Sequence, residues 1–139
     1  MLTAEPALQS AQILNQIEMP RGVEQAARKL AEARRSDPKA VVFPEAIVNL
    51  IGYEHLQAGD NKEALEIMKL NVTAFPESPN AYDSLSDVYL ADGQKELARQ
   101  NAKKALELLA SDTTDPQARR DAIRDNAQLK LKQLGEVQP

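Results

Sequence analysis

Residues 44–110 read PEAIVNLIGYEHLQAGDNKEALEIMKLNVTAFPESPNAYDSLSDVYLADGQKELARQNAKKALELLA, and one pattern runs through them twice at a spacing of 34 residues. Gly59 and Gly93 anchor the two copies. The same step pairs Ile51 with Leu85, Leu56 with Leu90, Ala64 with Ala98 and Lys69 with Lys103. A period of that length marks units that stack on one another, each unable to bury its apolar side alone.

Each copy reads as two helices around a tight turn. In the first, Ile47, Val48, Ile51 and Leu56 recur at helical spacing over residues 46–58, and Gly59 offers the left-handed conformation that stops a helix. Asp60 follows as an N-cap for a second helix with Ala64, Ile67, Met68 and Val72 on one face, ending before Phe75-Pro76. The second copy places Tyr82, Leu85, Tyr89 and Leu90 before Gly93, and Leu97, Ala98, Ala102, Ala105 and Leu106 after it. Ala64 and Ala98 fall where the paired backbones approach, so a larger side chain there is expected to overpack by roughly 1–3 kcal/mol.

These residues resemble the tetratricopeptide repeat. The second copy fits its pattern with Tyr82, Leu85, Tyr89, Gly93, Ala98 and Ala105, and departs at Ser86, Ala102 and Ala110. The first fits with Ile51, Gly52, Gly59, Ala64, Met68 and Pro76, and departs at Val48, His55 and Asn71. The resemblance implies an all-α fold, a right-handed superhelix of antiparallel helix pairs (a TPR-like α-solenoid) with a C-terminal capping helix.

Working outward, residues 6–18 read as a helix with Pro6 in its first turn, Met19-Pro20-Arg21-Gly22 breaks it, and residues 23–35 form a second helix. Taking Gly22 as the turn glycine puts Ala27 five residues later, as Ala64 follows Gly59, which suggests a degenerate unit 37 residues ahead of the next. Residues 39–44 could be a strand on periodicity. A connector that tucks Phe43 under the next helix is the better reading, since no second strand exists to pair with it. After a polar run, residues 116–134 form a last helix with Ile123, Ala127, Leu131 and Leu134 on one face, the cap that a stack of repeats needs. The chain is thus expected to be one domain: a degenerate repeat at 6–38, repeats at 44–77 and 78–111, and a capping helix at 116–134.

Composition narrows the function. The 139 residues carry a net charge of −4, concentrated in residues 41–112, which hold 6 bases against 12 acids. That acidity disfavours a nucleic-acid partner, and few aromatic residues are present to stack on bases. No apolar run approaches a membrane span, and the N-terminal residues lack the basic opening of a signal peptide. The expected setting is cytoplasmic for a complete chain and periplasmic for a piece of an exported protein. Absence of cysteine excludes disulfides and thiolate metal sites.

Catalytic chemistry finds little to work with. The single histidine, His55, lies inside a helix where the second copy has Tyr89, and reads as a packing replacement with one hydrogen bond. Asp83 and Asp87, four apart, could share a cation, but no third ligand sits at motif spacing. The Asn71-Val72-Thr73 sequon reads as coincidental. The expectation is a non-enzymatic protein with no cofactor and no metal.

Binding suits the architecture better. In the family that the chain resembles, the first helices of successive repeats line a concave groove that holds protein segments. Carried over to this sequence, the groove would present Gln9, Gln12 and Gln16, then Asn49, Tyr53 and Gln57, then Asn80, Asp83, Ser84 and Asp87. Among these, Asn49, Tyr53, Gln57, Asn80, Asp83 and Asp87 are the expected partner-binding residues. The set has no lysine or arginine, unlike groove versions that clamp a carboxylate, so a polar or basic protein segment is the expected partner and the two aspartates are expected to lack a cation within the chain. Residues 22–94 are also similar to the repeat tails of bacterial serine hydrolases of the β-lactamase and penicillin-binding type. Neither serine-x-x-lysine nor glycine-x-serine-x-glycine is present, so that resemblance implies an accessory or dimerisation domain, with a homodimer possible.

Overall fold

The computed structural model describes residues 12–19 and 21–135. Every regular element among them is a helix: α1 (residues 12–17), α2 (Gly22–Ser36), α3 (Glu45–Gln57), α4 (Asn61–Ala74), α5 (Pro79–Ala91), α6 (Lys95–Leu109) and α7 (Gln117–Gln133). The protein is all-α. Residues 6–11 of the first expected helix lie outside the described residues.

The turns repeat as closely as the sequence does. Gly59 and Gly93 take φ of 83° and 80°, left-handed values that a Cβ disfavours, although a Cβ on either would meet nothing within 4 Å. Backbone bonds then close each helix in the same way. Gly59 and Gly93 donate to the carbonyls of Leu56 and Leu90 at 3.1 Å, and Asp60 and Gln94 donate to those of His55 and Tyr89 at 2.9 Å. Asp60 caps α4 as expected, its side chain accepting from the Glu63 amide, and Ser78 caps α5 by accepting from the Ala81 amide, with Pro79 opening that helix.

At the N-terminal turn the expected register is off by one. The left-handed residue is Arg21 (φ 61°), not Gly22, and the fully buried small residue that follows is Ala26, not Ala27. Arg21 precedes Gly59 by 38 residues, as Ala26 precedes Ala64. Gly22 serves a different purpose: a Cβ there would lie 1.5 Å from the Gln16 carbonyl oxygen, so the start of α2 presses directly on the backbone of α1.

Buried apolar side chains form a succession of clusters. The first joins Ile13 and Ile17 of α1, Ala26 and Leu30 of α2, Val48 of α3, Ile67, Leu70 and Ala74 of α4, and Phe43 of the connector. That connector contains no strand, and Phe43 is 2% exposed with its ring edge-on to Phe75 at 6.0 Å. The second cluster joins Ala64 and Met68 of α4 to Leu85, Val88 and Tyr89 of α5 and Ala98 of α6. Two more, around Ala102 with Ala127 and Leu131, and around Ala105 and Leu109 with Ile123, seat α7 on α6. The main packing therefore runs α3 on α4, α4 on α5, α5 on α6 and α6 on α7; α5 also touches α3, and α7 touches α5.

Within the pairs, bulk is exchanged between partners. A Cβ on Gly52 of α3 would lie 2.6 Å from Met68 Cε and 2.8 Å from its Sδ. At the same places 34 residues on, Ser86 faces a smaller neighbour, Ala102, and its hydroxyl donates to the Ala98 carbonyl at 2.6 Å. Asn71, where the family has alanine, is fully buried and donates to the Glu45 carbonyl at 3.1 Å, tying α4 to the start of α3. That burial also keeps its sequon from a glycosylating enzyme in the folded protein.

Candidate protein-binding face

The expected groove residues begin on α3 and α5, whose equivalent positions face each other. The Tyr53 hydroxyl donates to Asp87 Oδ2, linking residues that occupy the same place in successive units. Burial pushes the Tyr53 pKa well above its ordinary value and the Asp87 charge adds to the rise, so the hydroxyl stays a donor at any physiological pH. Asn80 is also engaged within the chain. Its amide donates at 3.1 Å to Glu45 Oε2, which accepts from the Ser78 hydroxyl at 2.6 Å, so the starts of α3 and α5 are joined.

The aspartates depart from expectation. Asp83 and Asp87 do find a cation within the chain: Lys130 of α7, 2% exposed, with Nζ 2.8 Å from Asp83 Oδ1 and 2.9 Å from Asp87 Oδ1. The third proton of the ammonium goes to the Asp83 backbone carbonyl at 2.6 Å, so all of its donors are used. Asn126, one turn earlier on α7, donates to Asp83 Oδ2 at 2.8 Å. Burial raises the Asp83 pKa, against the opposing pull of Lys130 and Asn126. Five side chains from three helices thus form one closed polar cluster: Tyr53, Asp83, Asp87, Asn126 and Lys130.

A signal for Lys130 was present in the sequence. Ile123, Ala127 and Leu131 define the buried face of α7, and Lys130 lies three residues past Ala127 and directly before Leu131, on the edge of that face. Reading every charged residue of α7 as solvated concealed it.

The remaining expected residues stay open. Gln57 is exposed, as is Gln12, while Gln9 lies outside the described residues. Asn49 is partly buried, and its Oδ1 is buried with no hydrogen-bond partner; Gln16 Oε1 of α1 is in the same condition. Beside Asn49, Leu50 is 59% exposed and Ile47 is 43% exposed. The α3 end of the face therefore combines an unsatisfied acceptor with uncovered apolar surface.

His55 departs from the packing role of Tyr89. Its Nδ1 lies 3.3 Å from Asp60 Oδ2 and its Nε2 3.4 Å from Glu18 Oε1, so the ring links the α3–α4 turn to the end of α1. Burial lowers its pKa, but the bonds and charges of Asp60 and Glu18 outweigh that and leave it above the ordinary value.

The largest recess among the described residues, about 820 Å³, opens elsewhere, between the α4–α5 and α6–α7 loops, lined by Arg34, Glu45, Phe75, Ser78, Asp112 and Asp115 among others. Apart from those two loops it takes in none of the six expected binding residues. Among the described residues no group of three or more His, Cys, Asp or Glu could hold a metal ion, and no helix is long and apolar enough to cross a membrane. No family model matches the chain, and no curated protein matches it.

Proposed function

We propose that this chain is a non-catalytic scaffold of the tetratricopeptide-repeat type, a right-handed solenoid of antiparallel helix pairs closed by α7, that binds a protein segment along the face of α1, α3 and α5. Support for the solenoid comes from apolar clusters shared only between neighbouring helices and from turns that repeat bond for bond 34 residues apart. The observation that carries the binding reading is Asn49. A buried carbonyl oxygen without a donor is costly, and an extended peptide supplies backbone N–H groups at the place where exposed Leu50 and Ile47 offer it an apolar contact. With Asp83 and Asp87 matched by Lys130, the α3 half of the face is the half that recruits.

Peptides selected against the folded chain from a random display library provide the test. Calorimetric titration is expected to lose about tenfold or more in affinity on Asn49→Ala combined with Leu50→Asp, roughly 1.4 kcal/mol. Unchanged affinity would put the partner on another surface. A second reading, an accessory or dimerisation domain of a larger bacterial hydrolase, draws on exposed Val41, Ile47 and Leu50. On that reading light scattering finds a tight dimer that Leu50→Asp dissociates.

A further inference from the structure

We propose that the face made by Asp83 and Asp87 of α5 and the alanine row of α6 is an exchangeable docking site for a lysine-bearing helix, filled in cis by α7 and open to α7 of a second copy. The site is specific for that occupant. Its two carboxylates and one backbone carbonyl match the three protons of the Lys130 ammonium, and Asn126 takes a remaining carboxylate oxygen, so a helix lacking lysine at this point leaves two carboxylates buried without a cation. An equivalent helix from another copy restores every one of these bonds.

The apolar hold on α7 is light by comparison. Ala102 and Ala105 of α6 and Ala127 of α7 make up much of the contact, with Ile123, Leu131 and Leu109 as its large side chains. The joining loop, residues 110–116, has no buried residue, and its two apolar members, Ala110 and Pro116, are exposed. Its seven residues, drawn out, span up to about 25 Å, enough to carry α7 off its own α6. Exchanging one element between copies then preserves the contacts of the closed form and leaves the balance to concentration. The inference uses neither Asn49 nor Leu50, so it stands or falls separately from the groove reading.

The chain has no cysteine, so engineered thiols report the exchange without background. Full chain carrying Ala102→Cys is mixed, under a thiol–disulfide buffer, with a synthetic peptide of residues 117–134 carrying Ala127→Cys. The pair Ala105→Cys with Ile123→Cys provides an independent position should the first substitution unfold the chain. The native-lysine peptide is expected to be trapped as a mixed disulfide at least ten times faster than the same peptide with Lys130→Met. Full chain bearing both cysteines of a pair is expected to give a covalent dimer whose share rises with concentration. Equal trapping of the two peptides, absence of trapping at both positions, or covalent monomer at every concentration would overturn the proposal.

Discussion

Exchanging bulk between the two repeats tests whether they share one packing rule. In the first pair Gly52 makes room for Met68; in the second Ser86 faces Ala102 and bonds the Ala98 carbonyl. Gly52→Ser alone places its Cβ 2.6 Å from a methyl group in a fully buried site, an overpacking cost of about 1–3 kcal/mol that a gain in helix propensity of about 0.5 kcal/mol offsets only in part. Met68→Ala alone empties a core position and should cost about 2–5 kcal/mol. Together they recreate the second pair inside the first: the clash disappears, serine fills part of the void, and its hydroxyl gains the Ala64 carbonyl as a partner. Urea unfolding followed by circular dichroism on the wild type, both single variants and the double variant closes a mutant cycle. We expect the double variant to be more stable than the sum of the singles implies by at least about 1 kcal/mol. Additivity within about 0.5 kcal/mol would refute the idea that these positions are equivalent.

Three further outcomes follow from the geometry. Lys130→Met should destabilise by about 3–5 kcal/mol, because it leaves Asp83 and Asp87 without their cation, and adding Asp83→Asn and Asp87→Asn should recover part of the loss in thermal melts. His55 has a folded-state pKa raised above the unfolded value, so its contribution to stability is fully present below about pH 6.5 and is lost as pH rises through the folded value. His55→Gln should flatten the pH dependence of the melting temperature in that window. Arg21→Gly should stabilise by about 1 kcal/mol, since Arg21 holds φ of 61° at a left-handed cost that glycine avoids, whereas Gly22→Ala should unfold the α1–α2 junction by driving a methyl into the Gln16 carbonyl. Thermal melts of the pair should move in opposite directions.

Helix positions were legible in the sequence where periodicity and punctuation agree. Gly59, Asp60, Gly93 and Ser78-Pro79 are local signals whose hydrogen bonds are made within a few residues, and the structure follows them. Phe43 was legible for a related reason, since an aromatic residue in a short apolar connector has few places to go except inward. What escaped were contacts set by tertiary geometry. Arg21 rather than Gly22 takes the left-handed turn, because Gly22 is claimed by the close approach to α1, and nothing in the local sequence separates those two uses of a glycine. Lys130 looked like one more solvated charge until the packing of α7 turned it toward two aspartates 43 and 47 residues earlier. The position of Asn49 was readable from the repeat register, but the missing partner of its carbonyl was not, because satisfaction of a hydrogen bond depends on every neighbour at once.

The central claim is that each helix buries its apolar side only against its neighbours in the chain. Double electron–electron resonance between spin labels at Asn15→Cys on α1 and Gln128→Cys on α7 measures it most directly, both positions being exposed in a chain without native cysteine. Three successive helix layers at 8–10 Å each give an expected separation of roughly 24–30 Å between the helices, after the label arms are subtracted. A distance below about 18 Å, as two helices facing one another across a shared centre would give at the same spacing, would contradict the account.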